Sequence, residues 1–356
     1  KIKERWGYMK KGLKMFLLLL MILAIGLTTI GCNDKPTLNI YNYGDYIAPE
    51  VIKDFEEEFN VKVNYNTFAT NEDMYVSIKK GGTSYDLVFP SDYMVERMIE
   101  EGLLAEINKE NIPNMQYIGE EFLGLEFDPE NKYSVPYMWG TLGIIYNKTM
   151  VDDVVDSWDI LWNEKYAGQI LMLDSQRDSI GVALKKLGYS MNTRDLNELE
   201  EAKNELIKQK PLVYAYVGDD VRQLMVAEEA ALAVVWSGDA IPMVTWENEN
   251  LEYVYPKEGT NIWFDCMVIP KNAKNKELAE EFINYLNRPE VALKNIEYLE
   301  YATVNVAAQE LLPEEIRNHP VAYPSKEILE NTEIFRDVKD MLNVYDELWL
   351  EVKSHR

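Results

Sequence analysis

Aromatic and acidic residues recur side by side at five places where apolar, strand-like runs end. They are Tyr41-Asn42-Tyr43-Gly44-Asp45-Tyr46, Pro90-Ser91-Asp92-Tyr93, Tyr137-Met138-Trp139, Trp236-Ser237-Gly238-Asp239 and Trp263-Phe264-Asp265. In open α/β sheets, ligands bind beyond the carboxyl ends of strands. Several such ends facing one cleft build a cage of flat rings rimmed by carboxylates. Ring faces attract ammonium groups by about 0.5–2 kcal/mol each, and they cover methylene chains without asking for hydrogen bonds. Carboxylates add charge-assisted acceptors, roughly twice as strong as neutral ones. An aliphatic diamine or triamine fits that combination. Sugars also stack on Trp, but their sites mix in Arg, Asn and Gln donors. Asn42 is the only such donor in these segments, so a sugar ranks second.

Each residue also has a plainer reading. Asp45 after Gly44 suits a turn, and Asp92 suits a helix N-cap. Trp139, Trp236 and Trp263, taken singly, suit a core. Asp239 and Asp265 differ, because each follows an apolar run where a buried acid costs several kcal/mol without a partner. The pair could also serve a glycosidase. Against an enzyme, the chain has no Gly-x-Ser-x-Gly, His-Glu-x-x-His or phosphate-binding loop. His319 and His355 lack acidic or cysteine neighbours at ligand spacing, and Cys266 sits in an apolar run as a core thiol. No catalysis, cofactor or structural metal is therefore expected. A ferric-ion binder, using paired tyrosines and an anion-holding Arg, is a third alternative.

The elements that must position these residues alternate in kind. Strand patterns at 38–43, 61–65 and 85–89 alternate with helical patterns at 49–60, 72–80 and 92–101, which argues for parallel βαβ units. The pattern restarts after Gly140. Strands are expected at 143–146, 170–173, 213–216, 231–236, 251–255 and 262–269. Helices are expected at 177–187, 195–209, 276–286 and 289–296, with one long amphipathic helix at 333–353. Two α/β lobes joined by crossovers near Gly140 and Asp265 follow from this order.

Upstream, no charged side chain lies between Met15 and Asn33, and Lys10, Lys11 and Lys14 precede the run. A basic start, a short apolar core and a small residue before the break are the parts of an export signal. Thr29-Ile30-Gly31-Cys32 looks like a bacterial lipobox, with Thr29 departing from the usual Leu or Val. Residues 1–31 are read as the signal, Cys32 as the acylated residue and 32–36 as a linker. A plain signal anchor is the alternative. The first 31 residues carry six basic groups and one acid, so the rest holds 30 against 60 and a formal charge of −30. Such a chain repels nucleic acid and steers cations inward.

At these residues the chain resembles the polyamine-binding proteins of bacterial ABC uptake systems, the spermidine- and putrescine-binding family. The likeness runs from about Thr37 to the C-terminus. It rests on Tyr41-Asn42-Tyr43-Gly44-Asp45-Tyr46, Asp86-Leu87-Val88-Phe89-Pro90-Ser91, Ser134-Val135-Pro136-Tyr137-Met138-Trp139-Gly140, Leu184-Lys185-Lys186-Leu187-Gly188-Tyr189 and Pro270-Lys271-Asn272-Ala273-Lys274-Asn275-Lys276. It implies a type II periplasmic binding protein fold, two α/β lobes with a hinge and an inter-lobe cleft. The lobes are expected at 37–140 plus 266–304 and at 141–265 plus 305–356.

The resemblance also implies a monomer, lipid-anchored at the outer face of the cytoplasmic membrane, or on the periplasmic side where an outer membrane exists. It would hand its amine to a permease driven by a cytoplasmic ATPase. By position it assigns ligand contacts to Tyr43, Asp45, Tyr46, Ser91, Tyr93, Trp236, Trp263, Asp265 and Tyr301, with Asp265 the main carboxylate. Asp239 matches an acid of putrescine-binding relatives. Spermidine-binding relatives carry an acid at Ser175, another near Asp178 and a glutamine at Leu350. These departures point to putrescine, with spermidine accepted.

Overall fold

The computed structural model describes residues 35–218 and 220–355. The expected export signal and Cys32 lie outside the described residues. Among those described, no helix is long and apolar enough to cross a membrane.

The strands are β1 (Thr37–Asn42), β2 (Lys62–Thr67), β3 (Leu87–Val88), β4 (Ser134–Asn147), β5 (Ile170–Leu173), β6 (Val213–Val217), β7 (Leu232–Trp236), β8 (Leu251–Val254), β9 (Thr260–Val268), β10 (Ala302–Thr303) and β11 (Thr332–Ile334). They run in the order β2-β1-β3-β9-β4-β7-β5-β6, with β8 and β10 on β4 and β11 on β9. At one end β1 is parallel to β2 and β3, and at the other β5 is parallel to β6 and β7. Helices Pro49–Phe59 and Asn71–Lys80 make the crossovers of the first end, as parallel pairing requires.

The middle is antiparallel. β4 is 14 residues long; up to Thr141 it pairs with β9, and from Leu142 onward with β7. Gly140 lies opposite Trp263, and Met138 opposite Asp265. Asp265 is thus inside a strand, as the expected strand at 262–269 has it, and not at the end of one as its aromatic-acid segment suggested. The reason is that β9 continues past it to pair with the first part of β4.

Alternation along β7 splits the core. Leu232 and Val234 join one buried cluster with Leu142, Ile144, Trp158, Ile170 and Met172. Ala233 and Val235 face the other, which includes Leu38, Ile40, Val88 and Phe282. Ala308 and Leu312 form a smaller cluster with Ala292 and Ile296.

The C-terminal expectation of one helix over 333–353 is corrected. Thr332–Ile334 instead extends the sheet, parallel to Thr260–Ile262, and the Asn261 side chain donates to the Glu333 carbonyl at 2.9 Å. Phe335 is buried, and the helix begins only at Leu342. Pairing with β9 satisfies backbone groups and outweighs the modest differences in helix propensity.

Two motifs of the resemblance turn out to be one structural unit. Asp86 is fully buried, and its carboxylate accepts the backbone N–H groups of Asn39, Lys274 and Asn275, each at 2.9 Å. It ties β1 to the turn after β9. Asp86→Ala would leave three part-buried donors without their acceptor, so urea unfolding should show a loss of about 2 kcal/mol or more. A loss under about 1 kcal/mol would mean that water satisfies these groups.

Candidate ligand-binding site

β1 ends at Asn42, whose buried side-chain oxygen accepts the Tyr43 N–H at 2.8 Å and starts the turn. Helix Asp92–Glu100 begins after Ser91, which forms an isolated bridge with Asp265 of β9. The two segments meet at the Asp265 carboxylate. Tyr46 donates to Oδ2 at 2.6 Å and Ser91 donates to Oδ1 at 2.6 Å. Because Ser91 spends its only proton there, its oxygen accepts from Asn71 Nδ2 and from the Tyr43 hydroxyl, both at 3.1 Å. Asn71 also accepts the Ser91 N–H at 3.1 Å. Each oxygen of Asp265 keeps room for a further donor.

Asp265 is only 7% exposed, and burial pushes its carboxyl up to about 6 against the pull of the Ser91 and Tyr46 hydrogen bonds. The phenols of Tyr43 and Tyr46 are driven well above their ordinary value, first by burial and then by the Asp265 charge. They remain neutral donors.

Rings close around this carboxylate. Tyr46 meets Tyr43, Tyr137 and Tyr301 edge-on at 5.4, 5.5 and 5.9 Å, and Trp263 meets Tyr301 at 5.9 Å. Two glycines permit the approach. A Cβ on Gly140 would overlap the Trp263 ring, and one on Gly238 would overlap the Tyr301 ring. Gly238 lies in helix Ser237–Pro242, so Tyr301 rests against the turn that carries half-buried Asp239. The Thr141 N–H donates to Ser237 Oγ at 3.1 Å and fixes that helix to β4.

A second acidic group adjoins. Asp178 opens helix Gln176–Lys186, capped by Ser175. Burial lifts its carboxyl to about 6, opposed by the Ser175 hydroxyl, the Arg177 charge and a hydrogen bond from Trp236. Glu72 accepts from the Tyr93 hydroxyl at 3.0 Å, and burial raises its carboxyl too. Between them lies Arg177, 3% exposed. Its guanidinium stacks on Phe335, Tyr345 and Tyr93 at 4.5, 5.2 and 5.3 Å. It donates to the Arg336 carbonyl at 3.0 Å and to Asn192 at 3.1 Å.

Of the sequence candidates, Tyr43, Tyr46, Ser91 and Asp265 share one hydrogen-bonded network. Trp263 and Tyr301 adjoin it through ring contacts, and Asp239 follows the glycine under Tyr301. Tyr93 and Trp236 join through Glu72, Arg177 and Asp178. Asp45 is exposed on the turn after β1, outside the network. Asp92 is not the N-cap; Ser91 holds that position. The buried Asp92 carboxylate instead accepts the N–H groups of Phe264 at 3.0 Å and Tyr93 at 2.7 Å. Trp139 is core, donating to the Thr303 carbonyl at 3.1 Å beside Phe122. Leu350 is 66% exposed, on helix Leu342–Ser354. Asn71, Glu72 and Arg177 escaped the sequence reading, because residues at helix starts look like solvated first turns.

Residues 50–323 match the family model described as bacterial extracellular solute-binding protein. Over 337 residues the chain is 39% identical to the spermidine/putrescine-binding periplasmic protein of Escherichia coli (strain K12), covering 94% of this chain and 96% of that one. It is 32% identical over 326 residues to the putrescine-binding periplasmic protein PotF of the same strain, covering 86% and 88%. The solved spermidine/putrescine ABC transporter substrate-binding protein PotD from Streptococcus pneumoniae superposes with a TM-score of 0.78 at 44% identity, covering 90% of this chain and 99% of that one. The fold is the two-lobed α/β architecture of type II periplasmic binding proteins. The chain belongs to the bacterial extracellular solute-binding protein family, whose members are transport proteins and not enzymes.

Proposed function

We propose that this chain captures an aliphatic polyamine by closure of its two lobes and delivers it to a membrane permease driven by a cytoplasmic ATPase. Cys32, acylated, would hold the monomer at the membrane. The observation that carries the reading is Asp265: a buried carboxylate, oriented by Tyr46 and Ser91, among neutral rings. An ammonium group completes its coordination and offsets the cost of burying the charge. The methylene chain lies against Tyr43, Trp263 and Tyr301, and the second ammonium falls to Asp239. The names of the relatives support the ligand class. A ferric site fits less well, since burial keeps the Tyr43 and Tyr46 phenols protonated.

Closure is a population shift driven by contacts available only in the closed form. We assign 37–140 plus 266–323 to one lobe and 141–265 plus 324–356 to the other, which moves 305–323 from the division expected from sequence. Ala308 and Leu312 pack on Ala292 and Ile296 of helix Pro289–Leu299. Ser175 in place of an acid leaves fewer charges for a third nitrogen, so putrescine is favoured and spermidine accepted.

Calorimetry with both amines tests this reading. Asp265→Asn keeps the side chain's shape but removes the charge and one of its two acceptor oxygens, and should weaken putrescine by about 30-fold or more, the lower end of a lost buried ion pair. Unchanged affinity in Asp265→Asn would remove the site assignment, and spermidine bound about tenfold tighter than putrescine would reverse the preference.

Acid should act on binding and stability in opposite directions. The carboxyls of Asp265 and Asp178 hold protons up to about 6 when folded, against about 3.9 for an unfolded Asp. Across that window the native state binds more protons, so these groups favour folding at low pH, and that contribution is lost as pH rises through 6. Putrescine needs the ionised form. Its affinity should fall about tenfold between about pH 7.5 and pH 5, while the ligand-free protein gains stability from these two groups. An affinity flat across that range would contradict the role given to Asp265.

A further inference from the structure

Tyr301 also lines a second cavity, of about 240 Å³. Its walls come from segments far apart in sequence: Ile241 and Trp246 after β7, Ile296 and Glu300 at the end of helix Pro289–Leu299, and Leu312 beyond. The lining is apolar inside and acidic at the rim. Trp246 stands there 53% exposed, a large indole left in water. An apolar cavity of about 150 Å³ stays dry and accepts benzene, so this one has room for a phenyl ring and a short tail.

Charge narrows the guest. Arg222 pairs with Glu247 at 2.9 Å and with Glu300 at 3.0 Å, one cation for two carboxylates. Glu300 meets Arg222 through Oε2 only, and exposed Glu297 adds another acid at the rim. A neutral hydrophobe would leave this negative mouth unanswered. A diamine would have to bury its second ammonium in the apolar interior, at prohibitive cost.

We propose that this cavity binds a singly charged aryl-alkyl amine, its ring between Ile296 and Leu312 and its ammonium at Glu300. The site lies outside the Asp265 cleft, with Ile241 and Trp246 from one proposed lobe and Ile296, Glu300 and Leu312 from the other. It shares only the Tyr301 ring, which contacts both Tyr46 and Trp263.

Phenethylamine is the probe, titrated by calorimetry into the full chain with and without saturating putrescine. One-to-one binding is expected in both conditions. Leu312→Trp, which fills the cavity, should weaken phenethylamine about tenfold or more while leaving putrescine affinity within about twofold. Glu300→Gln, a rim change that leaves the core intact, should weaken it about fivefold, and decides the matter if Leu312→Trp fails to fold by circular dichroism. No saturable binding, loss of binding when putrescine is present, or undiminished binding in the variants would overturn the proposal. A flat putrescine titration alone would refute the polyamine reading and leave this one standing.

Discussion

A carboxylate withdrawn from water in the middle of a strand sets the terms for the rest of this fold. Asp265 sits where two long strands pair, opposite Met138, and can remain ionised there only if donors surround it. Tyr46 and Ser91 supply two of them. Each needs its own support: Ser91 is bracketed by the Asn71 amide, and Tyr137 donates to the Tyr46 carbonyl at 2.7 Å. The charge is thus held by residues from the turn after β1, from two helix starts and from the paired strands β4 and β9. Burial raises its protonation range, against the pull of those two hydrogen bonds.

The paired strands explain why aromatic side chains can crowd so close. β4 and β9 run antiparallel at the centre, and glycine at Gly140 lets the Trp263 ring approach the neighbouring strand closely. Gly238 does the same for Tyr301 against a helix. The acid next to each ring is placed by backbone geometry and not by side-chain reach. Asp92 reinforces the arrangement by pinning the Phe264 N–H, one residue before Asp265.

Much of this was legible beforehand because its signals are local. Strand 170–173 and helix 276–286 fall where the pattern put them, since period-2 and period-3.6 hydrophobicity is written residue by residue. The aromatic-acid doublets were visible for the same reason. What stayed hidden depends on distant partners. The strand Thr332–Ile334 forms because the edge of β9 is open to it, which nothing near Glu333 reveals. Asn71 matters only because Ser91 lies beside it, and Asp92 looked like a cap because its real partner is 172 residues away. Asp45, singled out by its neighbours, ends in solvent.

Arg177 gives the crevice a resident cation of its own. Wedged among three rings and tied to Asn192 and to the Arg336 carbonyl, it cannot swing out to bulk solvent as a surface arginine would. Glu72, Asp92 and Asp178 all feel its charge. Repulsion between Glu72 and Asp178 is therefore softened by a cation that the fold itself supplies, whatever else the crevice holds.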